Sequence, residues 1–225
     1  MGILKNRGAF LFILLFSCSE LEEAAVDLGL DYQPLKVGNF WEYQVEETFY
    51  FGESDAETHI FFYRDKITSN YTNNSGEQVF AIQRQKSSDQ HNWQQEKTFS
   101  YRLSNGTLIR TMDNQTTIPM VFPPGNGMEW DSNVYNTLAE DIYVMNMPNK
   151  YSIGDVEYTS AVKVVQSEED DLITLRDHRY EVFVKGVGLV ESYFEVLTYC
   201  SRNDCLGEQI IDSGRFTHLK LITNG

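Results

Sequence analysis

Between Trp41 and Phe51 the chain alternates. Trp41, Tyr43, Val45, Phe49 and Phe51 are apolar, while Glu42, Gln44, Glu46 and Thr48 are polar. Successive side chains of a strand point to opposite faces, so a period of two predicts a strand with one apolar and one wet face. Similar segments recur down the chain. Glu57–Ile67 is rich in Phe and Tyr, Asn73-Asn74-Ser75-Gly76 reads as a turn, and Gln78–Gln85 is the next strand. Asn92–Leu103 runs into Asn105-Gly106, and both of those residues tolerate positive φ. That favours a tight hairpin returning through Thr107–Met112.

Thr116–Phe122 follows, and its Pro119 marks an edge strand or a bulge, because proline cannot donate to a ladder. Pro123-Pro124-Gly125-Asn126-Gly127 breaks the chain and is read as the boundary between two halves of one sheet. Met128–Val134, Asp141–Asn146, Tyr158–Gln166, Leu172–Leu175, Arg179–Lys185, Leu189–Cys200 and Gln209–Ile222 continue the series, with Gly186-Val187-Gly188 as a turn. One short helix is suggested near Val134–Asp141. No internal repeat or low-complexity run interrupts the pattern. The expected fold is all-β: a single antiparallel domain over residues 32–225, built as a curved sheet or half-barrel, a barrel or a sandwich.

The N-terminus is written differently. Lys5 and Arg7 precede an unbroken apolar run from Ala9 to Phe16. The run has the length of a signal-peptide core and falls far short of the roughly 20 residues a spanning helix needs. Leu15-Phe16-Ser17-Cys18 ends it. Leu15 and Ser17 match a lipobox, and Phe16 departs from it, a smaller residue being usual there. The expectation is cleavage after residue 17 and lipidation of Cys18, with an ordinary cut at Ser17-Cys18-Ser19 as the alternative. Residues 18–31 are acidic and lack aromatics until Tyr32, as a tether would, although Leu21–Leu28 could also form a short helix. Ser19-Glu20-Leu21-Glu22-Glu23 resembles the acidic export signal of surface-exposed lipoproteins, interrupted by Leu21.

Charge narrows the partners. The chain carries 33 acidic residues against 18 Lys and Arg, a net charge of −15. Removing residues 1–17 takes away Lys5 and Arg7, so 16 basic residues remain against 33 acidic ones, a net of −17. Such a surface repels phosphate backbones, and no nucleic-acid partner is expected. Three cysteines are present, Cys18, Cys200 and Cys205. With Cys18 taking lipid, Cys200 and Cys205 are left to form a disulfide around Ser201-Arg202-Asn203-Asp204, which an oxidising compartment permits. Two free thiols are the alternative.

No motif names a reaction. His59, His91, His178 and His218 lack metal-ligand spacing, and His59 and His218 fall within expected strands as structural residues. Asp177 could orient His178 as a base, but adjacent strand residues point to opposite faces. Glu168-Glu169-Asp170-Asp171 lacks the spaced ligands and turn glycine of a calcium loop and reads as a solvated hairpin tip. There is no nucleophile elbow and no phosphate-cradling glycine loop. No catalytic residue, metal ligand or cofactor is assigned. Among the 14 Phe, 13 Tyr and 3 Trp, most belong to the core, and Tyr63, Tyr71, Trp93 and Tyr101 are the candidates for stacking on a sugar or covering a lipid tail.

Three stretches carry a resemblance: Tyr32-Gln33-Pro34-Leu35-Lys36-Val37-Gly38-Asn39-Phe40-Trp41-Glu42-Tyr43, Trp130–Leu138, and Tyr180–Val190 with its Lys185-Gly186-Val187-Gly188-Leu189-Val190. Together they resemble uncharacterised lipoproteins of Bacteroidetes-type envelopes. The resemblance implies an outer-membrane lipoprotein on the periplasmic face or the cell surface, held by its N-terminal lipid, and it implies no reaction. The expected role is non-enzymatic binding of a hydrophobic ligand, a glycan or an envelope protein. The alternatives are a structural component of a surface complex and a polymer hydrolase working through two facing carboxylates.

Overall fold

The computed structural model describes residues 27–137 and 139–225. The expected signal peptide 1–17, Cys18 and the tether as far as residue 26 lie outside the described residues. Among the described residues, fourteen strands follow a single 3-10 turn at Leu30–Tyr32: β1 Phe40–Gly52, β2 Asp55–Thr72, β3 Gln78–Ser87, β4 Gln94–Ser104, β5 Thr107–Met112, β6 Gln115–Val121, β7 Glu129–Asp131, β8 Ile142–Asn146, β9 Tyr151–Ile153, β10 Val156–Tyr158, β11 Ala161–Asp170, β12 Leu175–Val184, β13 Gly188–Tyr199 and β14 Ile211–Asn224. Twelve of them form one antiparallel sheet in the order β6-β5-β4-β3-β2-β1-β14-β13-β12-β11-β8-β7, and β9 with β10 makes a separate hairpin.

The first and last strands are neighbours in the middle of that order, paired from Trp41↔Asn224 to Tyr50↔Gly214. The two meanders therefore run outward from β1 and β14 and bring the edges β6 and β7 back to each other. There the ladder gives way to a few bonds. Ile118 N donates to Ser132 O at 3.1 Å, Trp130 Nε1 to Ile118 O at 2.7 Å, and Asn136 Nδ2 to Thr116 O at 2.8 Å. The result is a sheet nearly closed into a barrel. The break at Pro123–Gly127 spans this seam, linking one edge of the sheet to the other.

The alternation in β1 works as its sequence predicts. Trp41, Tyr43 and Val45 are all at most 3% exposed and face the lumen. Ile67, Ile82, Leu108, Met120, Met145, Val164 and Phe183 join them in one core. Tyr43 satisfies its hydroxyl by donating to Leu189 O at 3.1 Å. Burying side chains of this size contributes about 2 kcal/mol each before entropy is counted. Gly188 has φ 103°, and a Cβ there would meet Trp41 Nε1 at 2.9 Å, so glycine is required where the chain turns under the tryptophan.

Several sequence expectations are corrected. Val134–Asp141 forms no helix among its described residues; Asn133 and Asn136 organise turns there through their side chains. Leu172–Leu175 is a loop up to Leu175, because Asp171 accepts the backbone N–H groups of Ile173, Thr174 and Leu175. Tyr158–Gln166 divides into the end of β10 and the start of β11. Pro119, as expected, lies in the edge strand β6, opposite a register shift at Leu108/Arg110. Asn105 and Gly106 both have positive φ, at 48° and 73°. The last residues of the stretch read as tether are held to the barrel. Asp27 pairs with Lys185, and Gly186 N donates to Asp31 O at 2.8 Å.

Candidate functional site

The core does not fill the lumen. Towards one end the inward-facing rows change from aliphatic to polar and aromatic, and a cleft of about 380 Å³ opens, lined among others by Tyr63, Arg84, Phe99, Tyr101, Arg110 and Glu181. Strand register explains this composition. Asp65 is opposite Arg84, and Tyr101 is opposite Arg110, so charged and aromatic residues share the inward face one step above Ile67, Ile82 and Leu108. A volume of this size lies within the range of small-molecule sites.

Two buried ion pairs form the floor. Arg84 donates through Nε and Nη2 to the two oxygens of Asp65 at 2.7 and 2.6 Å. Its guanidinium also lies 4.5 Å from the Tyr63 ring centre and 5.4 Å from that of Phe99. Arg110 donates through Nη1 to Glu181 Oε1 at 2.6 Å. β5 and β12 are far apart in the sheet order, so this second pair crosses the lumen and ties the two meanders together. Burial pulls each arginine down, but the facing carboxylate outweighs it, and both stay firmly protonated. Burial also raises Tyr63 and Tyr101. The pairs are not equivalent. Asp65 is satisfied at both oxygens, whereas Glu181 Oε2 is buried with no hydrogen-bond partner. At the rim Arg215 pairs with Glu47, and Lys97 with Asp113 at 2.7 Å.

A second polar cluster lies on the outer face. The hairpin β9–β10 covers Ala161, Val182, Val184 and Val190 with Tyr151, Ile153 and Tyr158. Beneath it Glu191, 6% exposed, accepts from Tyr151 Oη, from Tyr180 Oη at 3.3 Å and from His218 Nε2 at 2.5 Å. Burial pushes the Glu191 carboxyl up, and the bonds from His218 and Tyr151 more than reverse it, so the group ends below its ordinary value. Tyr180 is raised to about 12 by burial and by the Glu191 charge. Its ring stacks on Tyr193 at 5.1 Å.

The residues singled out in the sequence scatter. Tyr63 and Tyr101 line the cleft, but Tyr71 is 57% exposed, and Trp93 lies outside under the Arg64 guanidinium at 4.1 Å. Asp177 and His178 do point to opposite faces: Asp177 takes Arg179 at 2.6 Å, and His178 Nδ1 stands 3.7 Å from Glu195. Glu168, Glu169 and Asp171 are exposed at the β11–β12 connection, as expected of a solvated hairpin tip, and Asp170 is half-buried. Asp170 holds Arg176 and Tyr199, and Asp171 caps the loop behind it. Cys200 and Cys205 form a disulfide with Cα atoms 5.8 Å apart. Among the described residues no group of three or more His, Cys, Asp and Glu is placed to hold a metal. Arg84, Arg110 and Glu181 escaped the sequence reading. The available signal was a charge on the apolar phase of a strand, as in Leu108, Arg110 and Met112.

No protein-family model matches the chain, and no curated protein matches it. Two solved structures are similar in shape. One is described as an exported protein with a YmcC-like fold from Bacteroides fragilis, with 12% identity, a TM-score of 0.40, and 85% of this chain and 98% of that chain covered. The other is described as a lipoprotein from Parabacteroides distasonis, with 12% identity, a TM-score of 0.39 and the same coverage. Likeness at this level carries no argument about role or ligand.

Proposed function

We propose that the chain is a lipid-anchored envelope protein that binds, without chemistry, a neutral hydroxylated ligand with an apolar face in the mouth of its barrel. The observation that supports this most is the Arg110–Glu181 pair. It combines a guanidinium with donors to spare and a carboxylate with one oxygen unpartnered. A hydroxyl both donates and accepts, so it can serve both groups at once when the Glu181 side chain turns that buried oxygen into the cleft. The surrounding Tyr63, Phe99 and Tyr101 rings offer apolar faces, and a sugar has both kinds of surface. Each cation of the cleft already has a carboxylate partner, which favours a neutral ligand over an anionic one. Asp65 and Glu181 are each committed to an arginine, which speaks against their use as a hydrolytic acid and base.

Envelope attachment rests on Leu15-Phe16-Ser17-Cys18, and the disulfide suits an oxidising compartment. Labelled palmitate is expected to enter the wild-type chain and not Cys18→Ser. Binding is tested by titrating the protein with neutral oligosaccharides and following aromatic ring protons. Shifts confined to Tyr63, Phe99 and Tyr101 support the site. Shifts with fatty acids alone would replace the sugar by a lipid, and shifts elsewhere would move the site.

A further inference from the structure

Antiparallel strands put alternate connections at opposite ends of a barrel, and here that sorts the whole chain. The loops β2–β3, β4–β5, β6–β7 and β12–β13 gather at one end with both termini of the sheet: Phe40 N donates to Gly225 O at 2.7 Å. The loops β1–β2, β3–β4, β5–β6, β7–β8, β11–β12 and β13–β14 gather at the other. The first end is sealed. Trp41 Nε1 donates to Val187 O at 2.6 Å, and Gln33 Oε1 accepts Leu189 N at 3.2 Å. The entering segment is fastened there through Asp27–Lys185 and Asp31–Gly186. The cleft opens at the second end, where Met112, Asp113 and Gln115 of the β5–β6 turn line it.

We infer that the mouth faces away from the membrane that anchors the chain, so that its ligand arrives from the aqueous side or from a partner there rather than from the anchoring bilayer. This rests on lipidation at Cys18. Two independent observations carry it. The nine steps from Cys18 to Asp27 reach about 30 Å when fully extended. The 13 residues of β1 run about 40 Å along the strand. Even with the strand tilted in the barrel, turning the mouth to the bilayer would demand a fully stretched tether running the height of the domain. Charge points the same way. The described residues of the mouth-end loops carry eight acids, among them Glu53, Asp89, Asp113, Glu140, Asp171 and Asp204, and Arg202 is their one Lys or Arg. Anionic headgroups repel such a rim. At the sealed end the charges are closer to balance, with Lys36 and Lys185 in the entering segment and the β12–β13 loop against Asp27, Asp31 and Glu77.

The test uses the full lipidated chain in phosphatidylethanolamine/phosphatidylglycerol vesicles carrying a headgroup quencher. A single fluorophore is placed through Ser75→Cys at the sealed end or Glu53→Cys at the mouth. The expected result is loss of emission from the Ser75 position and none from the Glu53 position. Equal or reversed quenching overturns the orientation while leaving the anchor intact. A chain that does not float with the vesicles overturns the anchor, and the orientation with it. Vesicles of zwitterionic lipid alone separate the two supports: an unchanged pattern assigns the orientation to tether length, and a lost preference assigns it to charge.

Discussion

The same sheet buries polar groups on both faces, and it treats them differently. On the outer face Glu191 meets three donors, from Tyr151, Tyr180 and His218, beneath a hairpin that covers it. On the inner face Glu181 has one donor, from Arg110, and leaves an oxygen unused beside an open cleft. Buried carboxylates are stable when all their hydrogen-bonding capacity is met. The outer cluster meets that condition within the chain and is read as structural. The inner cluster falls short by one donor, which a ligand could supply once the Glu181 carboxylate turns its buried oxygen into the cleft.

That contrast can be broken by mutation. Glu181→Ala strips Arg110 of its partner inside the lumen and is expected to cost about 3 kcal/mol, read as a lowered denaturant midpoint. The double replacement Arg110→Met with Glu181→Leu is expected to recover most of that loss and to abolish binding, since packing can replace the pair but not its hydrogen bonds. Glu191→Ala removes the acceptor for three donors and is expected to cost about 2 kcal/mol while leaving binding intact. The acid response should follow the same division. Glu191 lies below its ordinary value in the folded chain, so its contribution is full above the unfolded value and is lost as pH falls through the folded one. Hydrogen exchange should therefore show β9–β10 opening on acidification, with that acid step absent in Glu191→Gln. The smallest effect belongs to the seam. Asn136→Ala removes two side-chain bonds to Thr116, one to its carbonyl and one from its N–H, and is expected to cost about 1 kcal/mol, with faster exchange confined to β6 and β7.

Much of this architecture was legible in the residues. The alternation of Trp41, Tyr43 and Val45, the Asn105-Gly106 hairpin and the Gly186-Val187-Gly188 turn act locally, and each gave its element correctly. Leu172–Leu175 failed because Asp171 side-chain bonds outcompete strand pairing for an apolar stretch. Tyr151–Ile153 was missed because three residues are too few to show a period. The cleft was half legible. Tyr63 and Tyr101 were among the aromatic candidates, but Tyr71 and Trp93 were too, and nothing in their local pattern separates them. What separates them is register: which residue of β2 faces which of β3, and which of β4 faces β5. The Arg110–Glu181 contact joins residues 71 apart in sequence, across a lumen that exists only once the sheet has curled.

The central claim is that the mouth of the barrel holds a ligand. The most direct measurement is native mass spectrometry of the chain starting at Ser19, purified without detergent from an envelope-bearing host, beside Tyr101→Ala and Glu191→Ala. The account predicts a discrete added mass on the wild type that fragments as a glycan, is retained in Glu191→Ala and is lost in Tyr101→Ala. A bare protein mass from the wild type, or an adduct that survives Tyr101→Ala and disappears with Glu191→Ala, would contradict it.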